Sequence, residues 1–225
     1  MTDHEVVDAD SWLKARRALL RDEKAFTRLK DYLAEQRRAL PWLRIEKDYR
    51  FTGPDGEVSL GDLFGGRRQL IVNHFMFGPD WARGCEGCTE VADNYNGVLP
   101  YLHSRDASFV AISRGPLEKL EAFKAHMGWT FPWVSSAASD FNFDFDVSFR
   151  QPEKSLKQFN FETVEAAMEE THGVSVFIRE GNDIFLTYRC HERGVDILQA
   201  SMQYLDLLPL GRQDDRWAED DFRRR

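Results

Sequence analysis

The chain has 225 residues, enough for one large domain or one domain with an appendage. Hydrophobic residues make up 42% and charged residues 30%, which argues for a packed globule and against a disordered chain. A formal net charge of -8 argues against broad binding to a nucleic-acid backbone, and the terminal Arg223–Arg225 is too short to overturn that. No apolar segment follows a basic start, so no secretory leader is expected. No stretch approaches the roughly 20 apolar residues of a membrane span. The cysteines are Cys85, Cys88 and Cys190, an odd number too small for a disulfide scaffold, which suits a reducing, cytoplasmic setting.

Ser11 to Ala39 reads as a helix, with Asp10 or Ser11 offering the N-cap oxygen. Trp12, Ala15, Leu19, Phe26, Leu29, Leu33 and Leu40 recur mainly at three, four or seven residues, and Pro41 ends the pattern. This N-terminal helical arm, residues 1–44, is expected either to dock or to contact a second copy in a homodimer. "YRF" and "VSL" alternate around "GPDG", which is hairpin chemistry. "LGDLF" predicts a short helical turn. "QLIVNHFMF" has the dense apolar character of a strand covered on both faces.

"TEVADNYNGVLPYLHSR" then reads as a helix, kinked or broken at Gly97 and Pro100. "ASFVAIS" is a second buried strand. A helix follows, with Pro116 in its first turn and Gly128 at its end, and "FPWVSS" is a short strand. "DFNFDFD" alternates and reads as a strand or an irregular loop, its phenylalanines packing over the sheet. "SVFIRE-GND-IFLTYR" predicts a hairpin of antiparallel edge strands. "VDILQASMQYLDLL" predicts an amphipathic helix with Val195, Leu198, Met202, Leu205 and Leu208 on one stripe. Strands alternating with helices require an α/β fold with a partly parallel sheet flanked on both faces. The body of that fold is placed at 45–212, with a charged tail at 213–225.

The chemistry concentrates in "HFMFGPDWARGCEGCTE", His74 to Glu90. Cys85 and Cys88 are a redox pair, two metal ligands, or two small buried hydrophobes. At the start of a helix the first sulfur meets unpaired N–H groups and the positive end of the dipole, so the thiolate is favoured there. Cys85 is therefore expected to attack and Cys88, one turn on, to resolve. Arg83 adds positive field and Glu86 opposes it. Asn73 and His74, as strand neighbours, point to opposite faces, and His74 is either a proton relay near the thiol or a satisfied core histidine. Asp80 either assists the resolving cysteine as a buried acid or caps the turn or helix. Trp81 lines the site, while Trp129 and Trp133 belong to the core. Cys190 is a second resolving thiol or an ordinary residue after a strand. A metal set of Cys85, Cys88, Cys190 and His191 is disfavoured, because adjacent strand residues point apart.

Residues Trp81–Cys88 resemble the W-A-x-x-C-x-x-C signature of thioredoxins, and "VSLGDLFGGRRQLIV" resembles the N-terminal part of peroxiredoxins. "ALPWLRIEKDY", "HFMFGPDW", "MGWTFPWVSS", "SDFNFDF" and "YLDLLPLGR" together resemble the bacterial thioredoxin-like family known as domain of unknown function 899. The resemblance runs over roughly residues 10 to 212 and implies a thioredoxin-like mixed sheet flanked by helices, with an N-terminal helical arm and an extra N-terminal hairpin. It implies no activity. Two departures matter: "THGVSVF" lacks the proline of thioredoxins, and Ala82 stands where peroxiredoxins carry a threonine, with no arginine before "SVF".

The expected function is dithiol–disulfide exchange with protein or small-molecule thiols and disulfides, with no cofactor beyond a redox-active Cys85–Cys88 disulfide. The alternatives are a thiol peroxidase-like peroxide reducer and a non-catalytic binding module built on the same cleft.

Overall fold

The structure, a computed structural model, describes residues 4–213; the expected tail beyond Gln213, with Arg223–Arg225, lies outside the described residues. The chain divides into two units, Met1–Pro41 and Trp42–Arg225.

The first unit is built on α1, Ala9–Arg38. Its N-cap is Asp8, whose Oδ1 accepts from the Ser11 N–H at 2.7 Å. The helix thus starts earlier than Asp10 or Ser11 implied, because Asp8 sits in extended backbone three residues before a free N–H. Arg37 and Arg38 lie in the last turn, where cations suit the dipole. No residue of α1 is buried, and Trp12, Leu19, Phe26 and Leu33 are all exposed.

The second unit holds a mixed sheet of eight strands: β1 (Leu43–Arg44), β2 (Arg50–Gly53), β3 (Gly56–Ser59), β4 (Gln69–His74), β5 (Ala107–Ser113), β6 (Trp133–Ser135), β9 (Gly173–Glu180) and β10 (Asp183–His191). Two further strands, β7 (Ser155–Phe159) and β8 (Glu162–Ala166), form a separate hairpin. The order is β1-β10-β9-β4-β5-β6-β2-β3. β4, β5 and β6 run parallel, β9 is antiparallel to β4, and β10 is antiparallel to β9. Helices α2 (Glu86–Ala92), α3 (Leu99–His103) and α4 (Leu117–Met127) lie in the crossovers between the parallel strands. This is the thioredoxin-like architecture, with the N-terminal hairpin β2–β3 added beside β6.

Several elements differ from the sequence reading. Leu43 and Arg44, at the end of the expected arm, pair with β10, so the β9–β10 hairpin lies inside the sheet and not at its edge. "DFNFDFD" forms the short helix α5, Phe141–Asp144, which puts Phe141 and Phe145 on one face with ring centroids 4.4 Å apart. The final helix is split: a 3-10 segment spans Glu192–Leu198 and α6 spans Ala200–Leu205, with Gln199 between them at φ -98° and ψ 89°, outside the helical region. Of the expected stripe only Val195 is buried. The β7–β8 hairpin has no glycine or proline in its turn; Asn160 and Phe161 supply it with φ of 49° and 67°, so no turn signal marks it.

The sheet separates two apolar clusters. On one face Phe75, Phe77, Cys88, Val91, Leu120, Trp129, Trp133, Val174 and Cys190 pack together. On the other are Phe51, Phe64, Leu70, Val72, Ile112, Phe141, Phe145 and Phe177. The strand pleat sorts them: Asn73, Val174 and Cys190 share one cross-strand row, and His74, Gly173 and His191 share the next, which faces the other way.

Candidate active site

β4 delivers the chain to a tight loop. Phe75 donates its N–H to Ile112 at 3.0 Å, prolonging the ladder by one bond, and its ring enters the core 4.7 Å from Trp133. The loop then turns under its own indole. A Cβ on Gly78 would lie 2.8 Å from Trp81 Nε1, so only glycine lets the ring cross there. Lys119 of α4 ties the loop from outside by donating to the carbonyls of Pro79 at 3.1 Å and Trp81 at 3.3 Å. Gly84 is required by packing, since a Cβ there would come 2.5 Å from the buried Phe75 ring. The next residue is then anchored: Cys85 donates its N–H to Met76 at 3.0 Å.

Cys85 is the N-cap residue of α2, in extended backbone with φ -60° and ψ 134°. Its carbonyl accepts from the Thr89 N–H at 3.0 Å and from Thr89 Oγ1 at 2.8 Å. Cys85 is half-buried and Cys88 buried, and both are free thiols. Their proton affinities are driven apart. The Cys85 thiol is lowered from 9.0 to about 6, first by the hydrogen bond from Cys88, then by the N–H groups of Cys88 and Gly87 and the charge of His172, against the opposing effect of burial. The Cys88 thiol is raised well above 9.0 by the same shared bond, by burial and by the charges of Cys85 and Glu170.

The remaining sequence candidates fall in different places. Trp81 packs against the cluster that holds the pair, and its Nε1 donates to Glu169 at 3.3 Å. Arg83 is exposed and paired with Glu86 at 3.0 Å, so its charge is spent on a neighbour; Cys85 owes its shift to other groups. Asp80 is exposed and caps nothing on α2, which rules out a buried acid there. His74 is buried on the opposite face of the sheet, stacked on Phe141 at 5.6 Å, with Nε2 against Ser175 Oγ at 2.8 Å. It is a core histidine and cannot relay a proton to the thiols. Cys190 is buried in the same cluster as Cys88. His191, one residue on, points to the other face and lies against Phe159 and Phe161. Among the described residues no group of three or more His, Cys, Asp or Glu side chains is placed to hold a metal ion. Trp129 and Trp133 are core residues, as expected.

The structure adds residues that the sequence did not mark. The segment Glu169–His172, leading into β9, meets the cysteine pair: Glu169 at Trp81, His172 through its charge on Cys85, and Glu170 through its charge on Cys88. The Glu170 side chain is 1% exposed and accepts from Arg114 Nη1 at 2.7 Å and Ser148 Oγ at 2.6 Å. "EETH" carries no local pattern, and only the pairing of β9 with β4 brings it to the cysteines.

A family described as "Bacterial protein of unknown function (DUF899)" matches residues 1–225. No curated protein matches the chain. Among solved structures, a point mutant of peroxiredoxin Q from Xanthomonas campestris is 18% identical, with 69% of this chain and 90% of that one covered and a TM-score of 0.47. Peroxidoxin BcpB from Mycobacterium tuberculosis is 16% identical, with 74% and 96% covered and a TM-score of 0.46. A putative thiol:disulfide interchange protein, DsbE, from Chlorobium tepidum is 12% identical, with 73% and 94% covered and a TM-score of 0.46.

Proposed function

The chain belongs to the DUF899 family of bacterial proteins, and from that premise we propose that it is a dithiol–disulfide oxidoreductase in which Cys85 attacks and Cys88 resolves. The observation that carries this reading is the placement of two free thiols at the start of α2, Cys85 half-buried as its N-cap residue and Cys88 buried within the first turn; the bond they share lowers the first to about 6 and raises the second. A thiolate at neutral pH is the competent nucleophile, and a partner held protonated beside it is kept in reserve.

The Cys85 thiolate attacks one sulfur of a substrate disulfide, and the other substrate sulfur leaves as a thiolate. Cys88 then attacks Cys85 Sγ. A Cys85–Cys88 bond forms, the mixed disulfide breaks, and the second substrate sulfur leaves. The protein dithiol loses two electrons and the substrate disulfide gains them; an external thiol reverses the change. The substrates are protein or small-molecule thiols and disulfides, in a reducing compartment.

Trapping tests this directly. Cys88→Ser is expected to accumulate a mixed disulfide on Cys85 that mass spectrometry detects, whereas Cys85→Ser forms none. A wild-type protein that never closes the Cys85–Cys88 bond under mild oxidation would sink the reading. Catalytic consumption of hydrogen peroxide, with no disulfide exchange, would replace it with peroxide reduction, although Ala82 offers no hydroxyl three residues before Cys85.

A further inference from the structure

α1 is the longest helix among the described residues, with 30 residues, and none of them is buried. From Trp12 to Leu40, the positions at alternating steps of three and four are apolar throughout except Asp22 and Gln36. Every seventh one is large: Trp12, Leu19, Phe26, Leu33 and Leu40, each between 42% and 66% exposed. An open apolar row of this length marks an interaction surface. None of its side chains belongs to the thiol site.

The period of the row selects what can cover it. A straight α-helix drifts about 20° per heptad against a strict seven-residue repeat, so the row winds through about 80° over its four heptads. A flat lipid surface or a rigid groove would meet only part of it. A second helix winding left-handed around α1 follows all of it, each large side chain entering a gap in the facing row. Such a helix must be about as long as α1. Among the described residues the next longest is α4, with 11 residues and Leu120 in the core. The helix of matching length and period is α1 of a second copy.

We propose that two copies of this chain pair through α1 in an antiparallel two-stranded coiled coil. Asp22 selects the direction. In a parallel pair it would lie against Asp22 of the second copy inside the seam, where like charges repel. In an antiparallel pair centred between Phe26 and Leu29, the two Asp22 residues fall about 16 Å apart along the axis, at 1.5 Å per residue. Phe26 then layers on Leu29 of the second copy, and the two-fold axis repeats that contact, as a closed dimer requires. On the edge of the seam Glu23 faces Lys30 of the second copy, again twice. Antiparallel helices also oppose their dipoles.

Sedimentation equilibrium of the full chain reads the association, with reductant present so that no disulfide between copies contributes. Wild type is expected to sediment as two chains and Phe26→Glu as one. Phe26 is exposed, so its replacement leaves no cavity in the chain that carries it. The charges test the direction. Glu23 also holds Arg16 of its own helix at 2.8 Å, which makes Lys30→Glu the cleaner probe. Lys30→Glu is expected to weaken the dimer by about tenfold, the scale of two exposed ion pairs lost, and Glu23→Lys added to it restores the affinity. A parallel pair would leave both charge variants at the wild-type affinity, which overturns the proposal. So does a Phe26→Glu protein that still sediments as two chains, or a wild type that stays a single chain at every concentration. α1 carries more Lys and Arg than Asp and Glu, so flotation with vesicles of phosphatidylglycerol and phosphatidylcholine is run beside it. A single-chain wild type that floats with them assigns the row to a lipid surface instead.

Discussion

Cys85 and Cys88 are three residues apart, and one shared hydrogen bond pushes their thiols in opposite directions. Alkylation of Cys85 is accordingly expected to follow a midpoint near pH 6, against 9.0 for an ordinary cysteine. Cys88→Ala removes the largest stabilising contact and should move that midpoint upward; an unchanged midpoint would assign the shift to the backbone alone. "WARGCEGC" made the position of Cys85 legible, because a Cys-x-x-Cys with a glycine before each cysteine, ahead of a helix, has a distinct local pattern. It did not make the cause legible. The helix that Cys85 caps has seven residues, and the partner thiol contributes more than either N–H group does. His74 stayed open between proton relay and core histidine for a related reason: closeness in sequence does not fix the side of the sheet, and the pleat sent it away from the thiols. Glu170, 82 positions beyond Cys88, could only be found through strand pairing.

Among the elements, the loop from β4 to α2 is held by close approaches, and Gly84 is its tightest point. Gly84→Ala would drive a methyl into the Phe75 ring, which Trp129 and Trp133 hemmed in at 5.9 and 4.7 Å cannot yield easily. Overpacking of this kind costs about 1–3 kcal/mol. The expected outcome is an earlier urea midpoint together with slower Cys85 alkylation, because Cys85 must move with Gly84. A variant as stable and reactive as wild type would mean that the loop relaxes freely. Strands with apolar runs and glycine turns were legible: β2–β3, β4, β5 and β9–β10 all form where the pattern put them. The β7–β8 hairpin was not, since Phe161 occupies a left-handed position that bulky residues avoid, and its ring lies 5.1 Å from Arg189. Tertiary ring contacts override local preference there, as they do in α5.

For the whole molecule, the second face of the sheet sets the response to acid. His74 is lowered from 6.5 to about 3 and His191 to about 4, both chiefly by burial. Three of their four ring nitrogens have no partner. An unfolded chain takes up both protons below pH 6.5 while the folded one refuses them, so stability held above pH 6.5 falls as pH drops toward 4 and then 3. Each histidine contributes a slope of about 1.4 kcal/mol per pH unit. Glu170 runs the other way: with its carboxyl raised from 4.5 to about 7, its favourable contribution is present below 4.5 and lost as pH rises through 7. His74→Phe, which preserves a ring against Phe141, is expected to flatten the acid side of the stability profile, and Glu170→Gln to steepen it between pH 5 and 6.5. Denaturant titrations over that range check both, and parallel profiles for all three proteins would refute the assignment.

The alternation of Asn73 and His74 at the end of β4 reaches further than the two side chains themselves. The sulfurs of Cys88 and Cys190 and the imidazoles of His74 and His191 are partitioned by a single layer of backbone, so a thiol-directed label and the acylation of those two imidazoles report on opposite faces of one sheet. Modification through the first should leave the second silent until the sheet itself opens, and the lag between them becomes a clock for that opening.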